Sequence, residues 1–385
     1  MDTDVLLCGM GGYGENYVKE YLERDVEGSR LVAIADPFAE KSPLYRTVME
    51  KRIPLYPSPE AFFLQHKAGL TIVSSPIHTH YPYIMTALRH GSNVLTEKPV
   101  CFNLDQIREM MAESERQGKF VAVGYQLCYS HDVLAMKKDI LSGMYGAPKR
   151  MKTLRLMRRD AVYYHRNAWA GKFYAHGEKV LDSPLCNACA HQAQNELFLL
   201  GTKMDETAVV QKVEGVVVKV RPDIENYDTA ALCMTTTDGI PCYYYTSHAV
   251  DEQKVGPVGV FEFEKGAIVE AGHGFVARGL DGSVWKDYTT MDKGERMEKL
   301  YEAIRCVKEG RTPVCTLKTG MEHTRAVLMA QDIGITDLSG RAVEKKDEKG
   351  SSYYTLPGLT ALLEKSYDSW SLPMDFEKRI FSGKR

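Results

Sequence analysis

The strongest constraint on this chain lies in its first fourteen residues. A short apolar run, DVLLCGM, leads directly into Gly9-Met10-Gly11-Gly12-Tyr13-Gly14, and helical spacing follows in YGENYVKEYLER. A G-x-G-x-x-G pattern between a strand and a helix specifies a dinucleotide-binding turn. The first glycine permits the tight turn, the second lets the backbone approach a pyrophosphate, and the third lets helix and strand pack closely. The free N–H groups and positive dipole end of the helix then face the phosphates. Gly9, Met10, Gly11, Gly12, Tyr13 and Gly14 are therefore read together as cofactor-binding positions.

Asp36 closes the second apolar run, 22 residues after Gly14, and Pro37 turns the chain there. A carboxylate at that point accepts hydrogen bonds from ribose hydroxyls and repels a 2′-phosphate. No arginine follows in PFAEK, so the expected cofactor is NAD rather than NADP.

The rest of the first third alternates strand and helix. RLVAIAD, LTIVSS, NVLTEKP and FVAVGY read as buried strands. SPEAFFLQHK reads as a helix capped by Ser58 with Pro59 just inside, and YPYIMTALRHG as a helix stopped at Gly91. Short, continuously apolar strands separated by helices imply a doubly wound parallel sheet, a Rossmann domain, over residues 1–127. Beyond it the pattern changes. Helices are expected near 132–141 and 183–200, and alternating runs from 207 to 272 carry hairpin signals at Asp238-Gly239 and Lys265-Gly266. Residues 128–385 are expected to form an α+β domain on a large, mostly antiparallel open sheet. From about Gly350 a tail carries the apolar helix LTALLEK and a basic end.

Composition narrows the partners. The formal net charge is -2, with 49 basic against 51 acidic residues, and no run of like charge is long enough for a nucleic-acid arm or membrane patch. The opening residues lack a basic region followed by a long apolar one, so no signal peptide is expected. No stretch approaches the length of a membrane span. Nine scattered cysteines fit reduced thiols and a cytoplasmic location. Cys186 and Cys189 form one C-x-x-C without a second pair, and His78-x-His80 lacks a third ligand, so no metal site is expected.

At Glu97-Lys98-Pro99 the sequence resembles the E-K-P signature of the glucose-fructose oxidoreductase/inositol dehydrogenase (Gfo/Idh/MocA) family. Ser75-Pro76-Ile77-His78-Thr79-His80 is similar to the family's T-P-x-x-x-H segment, Gly124-Tyr125-Gln126 to its motif after the sixth strand, and Ala190-His191 to part of its catalytic helix. The resemblance covers the chain strongly to about residue 130 and loosely to about 335. It implies hydride transfer between nicotinamide and a carbon of a sugar or cyclitol, and a homo-oligomer, dimer or tetramer, formed on the second domain's sheet. It adds Ser75, Pro76, His80, Glu97, Lys98 and Gln126 to the cofactor site. Lys98 also becomes a catalytic group, since an ammonium beside the reacting hydroxyl stabilises a developing alkoxide and relays its proton.

The family's helix carries Asp-x-x-x-His. Here the segment reads Asn187-Ala-Cys-Ala-His191. On a helix the two residues would share a face, but an amide does not support an imidazolium as a charge does. Three readings stay open: His191 is the base, with Asn187 orienting it; Lys98 is the main acid/base group and His191 a substrate clamp; or the chain is a non-catalytic NAD and sugar sensor. Upstream, Tyr163 to Trp169 is dense in aromatic, guanidinium and amide groups suited to sugar faces and hydroxyls. Arg166, Asn167 and Trp169 are expected to contact substrate, with Tyr125. This segment and the one around Asn187 resemble a sugar-handling subgroup of the family from anaerobic bacteria whose members oxidise glycosides to keto-sugars. Oxidation of a glycoside at C3 is accordingly one expected reaction. Cleavage of a glycoside through a transient 3-keto sugar, with NAD recycled in place, is an alternative.

Overall fold

The computed structural model describes residues 2–272 and 274–381. The basic end of the tail, 382–385, lies outside the described residues. The chain forms two compact units: 1–130 with 294–321, and 131–293 with 322–385.

In the first unit, strands β1 (Thr3–Cys8), β2 (Ser29–Ala35), β3 (Leu55–Tyr56), β4 (Leu70–Val73), β5 (Asn93–Thr96) and β6 (Val121–Val123) form one parallel sheet in the order β3-β2-β1-β4-β5-β6. The order reverses direction between β1 and β4, the switch point where doubly wound sheets bind ligands. Helices α1 (Gly14–Glu23), α2 (Tyr45–Glu50), α3 (Pro59–Phe63), α4 (His80–Arg89) and α5 (Leu104–Gln117) connect the strands. Their ends follow the sequence signals. Ser58 Oγ accepts from Ala61 N–H at 3.3 Å, Asn103 Oδ1 caps α5, and Gly118 ends it in the left-handed region. Strands β4, β5 and β6 are buried on both faces, as their unbroken apolar character requires.

The change of pattern after residue 127 assigns the whole remainder to the second domain, but residues 294–321 return to the first unit. Met297, Leu300, Ala303, Ile304 and Cys306 pack into the core formed by Val5, Leu7, Leu70, Ile72 and Leu95. The apolar stripe of this later helix is thus what completes one side of the parallel sheet.

The second unit begins with α6 (His131–Leu141), β7 (Pro148–Met157), α7 (Ala161–His165) and the small hairpin β8 (Tyr174–Ala175) and β9 (Glu178–Lys179). Next come α8 (Ala190–Leu199), β10 (Val210–Lys219), β11 (Thr229–Thr236), β12 (Pro241–Ser247), β13 (Lys254–Phe263), β14 (Gly266–Ala271), β15 (Gly274–Gly279) and β16 (Val284–Asp287). The returning helix of the first unit is α9 (Glu298–Glu309), and α10 (Leu317–Gln331) spans the boundary between the units. Strands β17 (Ile335–Asp337), β18 (Val343–Lys346) and β19 (Ser352–Thr355) and helices α11 (Leu359–Asp368) and α12 (Phe376–Phe381) complete the described chain. Nine strands form one sheet in the order β16-β15-β14-β13-β7-β12-β11-β10-β17. Its pairs are antiparallel except β7 with β12 and β10 with β17. Asp238-Gly239 makes the β11–β12 turn, with Gly239 at φ +78°. One face of the sheet carries α11 and α12 on a core of Leu154, Leu156, Tyr245, Leu359, Leu363 and Phe376.

One expected helix is shorter than the sequence suggests. Residues 183–189 form successive turns, and α8 begins only at Ala190. Ser183 Oγ accepts from Cys186 N–H, Asn187 N–H reaches Ser183 O, and Cys189 N–H reaches Pro184 O. Asn187 therefore lies in the turn before the helix, so the helical i, i+4 argument does not relate it to His191.

Candidate functional site

The glycine loop is built as its spacing demands. Gly9 sits at φ +89°, and a Cβ there would lie 2.7 Å from the Ser75 backbone N and Cα. A Cβ on Gly14 would lie 2.2 Å from the Gly9 carbonyl oxygen, so helix and strand approach as only glycine allows. Around Gly11 a Cβ would meet nothing within 4 Å. The loop is thus closed at its first and third glycines and open at the second. Asp36, at the end of β2, accepts from Met10 N–H at 2.9 Å and Phe38 N–H at 2.8 Å. Its carboxylate is held rigidly beside the loop, at the turn made by Pro37.

The Ser75-Pro76 and Glu97-Lys98-Pro99 segments are locked together from behind. His80 is buried, and its Nδ1 faces the carbonyls of Pro99 and Val100 while Nε2 faces that of Ser75, at 2.8–3.1 Å. Burial lowers its pKa, with the carbonyls pulling the other way. His80 thus holds the loops that carry Ser75 and Lys98. Ser75 Oγ accepts from the Thr79 hydroxyl at 2.6 Å. Glu97 is also internal: it accepts from the Tyr17 hydroxyl at 2.6 Å and pairs with Lys299, itself 1% exposed. The Lys299 ammonium lies 4.3 Å from the centre of the Tyr13 ring, and Gln126 Nε2 donates to the Tyr13 hydroxyl at 2.6 Å. Lys98, next along the loop, is half-buried. Tyr125, expected to touch substrate, is 1% exposed, its ring edge 3.2 Å from the Cβ that Gly320 lacks.

The second unit gathers the other expected residues. Asn187 Nδ2 donates to Asp182 Oδ1 at 2.9 Å and lies 3.5 Å from the Tyr163 hydroxyl. Asp182, 3% exposed, also accepts from Gly171 N–H at 2.7 Å. The guanidinium groups of Arg159 and Arg166 lie over the Tyr163 ring at 4.4 and 3.7 Å, and Arg166 is 5.1 Å from the Trp169 ring centre. Burial raises the Tyr163 phenol's pKa, and the charge of Asp182 adds to it. Asn167 acts locally. Its Oδ1 accepts from Trp169 and Ala170 N–H, closing the turn that presents Arg166 and Trp169. Buried His248 has its Nδ1 3.1 Å from the Tyr164 hydroxyl; burial, with the two arginines adding to it, pushes its pKa well below the usual histidine value. On α8, which carries His191 in its first turn, the fully buried Glu196 carboxyl is pushed well up by burial.

A cavity of about 530 Å³ opens elsewhere, where α5 and α9 end beside Asn93 and Phe120. It lies at the entering ends of β5 and β6, opposite the strand ends that carry the glycine loop. Among the described residues no group of three His, Cys, Asp or Glu side chains is placed to hold a metal, and no helix is long and apolar enough to cross a membrane.

Residues 3–125 match the family model described as an oxidoreductase family with an NAD-binding Rossmann fold. Over those residues the chain is similar to the Gfo/Idh/MocA oxidoreductases. It is 33% identical over 150 residues to an inositol 2-dehydrogenase of Rubrobacter xylanophilus, covering 37% of this chain and 40% of that protein. It is 26% identical over 201 residues to a D-glucoside 3-dehydrogenase of Escherichia coli, covering 51% and 54%. The chain thus spans about half the length of these curated relatives. Among solved structures, an oxidoreductase from Agrobacterium radiobacter in complex with NAD+, L-tartaric acid and magnesium superposes with a TM-score of 0.70 at 15% identity, covering 86% of this chain and 96% of that one. The WlbA dehydrogenase of Bordetella pertussis, in complex with NADH and UDP-GlcNAcA, gives 0.70 at 18% identity, covering 86% and 97%. At such identities these likenesses bear on the fold.

The residues present fit NAD. The open space at Gly11 beside the N-terminus of α1 suits a pyrophosphate, and the Asp36 carboxylate suits a ribose diol. Two features are invisible along the sequence. The Glu97–Lys299 pair joins residues 202 positions apart, and neither its spacing nor its helix pattern announces it. Asp182 lies five positions before Asn187 in a turn, where no periodicity marks a partner.

Proposed function

We propose that the protein is an NAD-dependent oxidoreductase that moves hydride between nicotinamide and a secondary alcohol of a sugar, glycoside or cyclitol. The observation that carries this reading is the glycine loop at the switch point of a 3-2-1-4-5-6 parallel sheet, with Asp36 fixed at the end of β2. The nicotinamide ring supplies the hydride-accepting carbon. The chain's own residues bind, orient and move protons. Gly9 to Gly14, Asp36 and Pro37 hold the adenosine and pyrophosphate end. Ser75, Pro76, Lys98 and Gln126, braced by His80 and by the internal Glu97–Lys299 pair, hold the other end.

Lys98 stabilises the developing alkoxide and relays its proton. His191 takes the hydroxyl proton, with Asn187 as the orienting amide. Tyr163, Arg166 and Trp169 form the sugar-facing surface of the second unit: the rings suit apolar sugar faces, and the guanidinium suits hydroxyls. The glucoside 3-dehydrogenase relative and the aromatic and arginine cluster favour a glycoside oxidised at C3. The same reading includes a homo-oligomer built on the nine-stranded sheet.

Purified protein with NAD and a panel of glycosides, monosaccharides and inositols tests this by absorbance at 340 nm. A rise with one sugar class, lost on Lys98→Ala and reduced on His191→Ala, is expected. No rise with any class overturns net dehydrogenation. Free aglycone in those tubes would then indicate cleavage with recycled NAD, and unchanged sugar a sensor.

A further inference from the structure

Residue 187 is neutral, yet its side chain donates to an anion. Asp182 is 3% exposed, and both its oxygens are engaged: Oδ2 accepts from Gly171 N–H at 2.7 Å, and Oδ1 accepts from Asn187 Nδ2 at 2.9 Å. A carboxylate only accepts hydrogen bonds, so the amide must turn its NH2 toward it. The chain around this contact is fixed as well. Asp182 N–H bonds Lys172 O, and Asn187 N–H bonds Ser183 O, both at 3.0 Å. The Tyr163 hydroxyl, 3.5 Å from the same Nδ2, stands on the donor side of the amide too.

We propose that Asp182 is a positioning residue that holds the Asn187 amide in one orientation, presents its carbonyl oxygen as a fixed hydrogen-bond acceptor, and requires residue 187 to be uncharged. The negative charge of this site therefore sits one residue deeper than Asn187. An acceptor held this way takes an O–H or N–H from a substrate hydroxyl or an imidazole but cannot donate. A carboxylate at 187 would stand about 3 Å from that of Asp182, and two carboxylates so close cannot both ionise. Asparagine at 187 is what the buried aspartate dictates. The consequence for turnover rests on the oxidoreductase reading, whereas the electrostatic pairing does not.

The test uses the full chain with Asn187→Asp, Asp182→Asn and the exchanged pair Asp182→Asn/Asn187→Asp, read by melting temperature at pH 5 and pH 8. In Asn187→Asp the two carboxylates share a proton. Their raised folded pKa gives stability that is present at low pH and lost as pH rises, so this variant should fall relative to wild type by about 5 °C or more between the two pH values. Asp182→Asn has one acceptor for two donors and should be destabilised equally at both pH values. The exchanged pair restores one charge and one amide, and its difference from wild type should not change with pH. In sugar-dependent NADH formation, Asn187→Asp should lose on the order of 100-fold in kcat/KM with a displaced pH profile. The exchanged pair should recover to within about tenfold, and NADH binding should stay the same in all three.

A melting difference for Asn187→Asp that does not move with pH overturns the pairing. An exchanged pair that melts like wild type but turns over no faster than Asn187→Asp overturns the positioning role. If wild type turns over no sugar, the oxidoreductase reading fails, and the melting series still decides the pairing.

Discussion

Gly9 and Gly11 stand two residues apart in one loop, yet alanine should act on them in opposite ways. At Gly9 the added Cβ meets the Ser75 N and Cα at 2.7 Å and the Ser74 carbonyl carbon at 2.9 Å. These are backbone atoms of a neighbouring strand end and cannot rotate away. The residue also sits at φ +89°, which costs a side chain about 1–2 kcal/mol. Overpacking against backbone adds about 1–3 kcal/mol. The sum, about 3 kcal/mol, should lower the melting transition of the first unit by roughly 6–12 °C, at the 2–4 °C per kcal/mol expected for a unit of its size. At Gly11 the new methyl meets nothing within 4 Å, and stability should stay within about 0.5 kcal/mol of wild type. If the pyrophosphate lies against that backbone, however, the methyl displaces it and breaks a hydrogen bond to a charged group. Such a bond is worth about 1.5–3 kcal/mol, or roughly 10- to 150-fold in Kd. Differential scanning fluorimetry without nucleotide and NADH fluorescence titration separate the two effects. Wild-type NADH affinity in Gly11→Ala would refute the placement of the pyrophosphate. An unchanged melting temperature in Gly9→Ala would refute the steric argument.

Three further outcomes follow from other parts of the structure. Lys299→Met leaves the buried Glu97 carboxylate without its cation and should cost about 3–5 kcal/mol in urea unfolding; Lys299→Met with Glu97→Gln should recover part of it, which a double-mutant cycle measures. Asp36→Ser removes the charge that repels a 2′-phosphate, so the NAD to NADP affinity ratio should fall by at least about tenfold by isothermal titration calorimetry. Burial pushes the Asp228 carboxyl up to about 6 from its usual 3.8. A raised folded pKa gives stability that is present at low pH and lost as pH rises from about 4 to 6. The urea midpoint of wild type should therefore fall more over that interval than that of Asp228→Asn.

The legible parts of the sequence are those where one local rule fixes the outcome. Gly9, Gly11 and Gly14 announce a strand–turn–helix because each spacing answers a separate steric demand, and the demands on Gly9 and Gly14 reappear in the structure as close backbone contacts. Ser58 marks a helix start because a side-chain oxygen within reach of the next N–H groups is a local matter. Alternation announces the nine-stranded sheet, but alternation has no direction, so the parallel pairing of β7 with β12 cannot be read from it. The helix expected from 183 is absent over its first turns for a related reason. Its apolar spacing is genuine, because Leu185, Cys186 and Cys189 are buried, but successive turns bury such a set as well as a helix does.

Position 187 shows where reading along the chain ends and reading across it begins. In the sequence, Asn187 is a base's partner without its charge, and that absence points to a weaker base or a lost reaction. In the fold, the charge lies behind the amide on Asp182, anchored by Gly171 N–H from the other side. The two descriptions differ in chemistry. An aspartate at 187 would add negative charge to whatever it touches, whereas an amide backed by a carboxylate offers a neutral acceptor with its direction fixed. A hydrogen-bond acceptor that does not titrate near neutral pH keeps its role whether its partner is protonated or not. The missing carboxylate therefore gives no ground for reading the chain as a silent sensor. It specifies that any pH dependence in turnover should come from His191 or Lys98, and exchanging the two residues at 182 and 187 is the change that separates a lost charge from a displaced one.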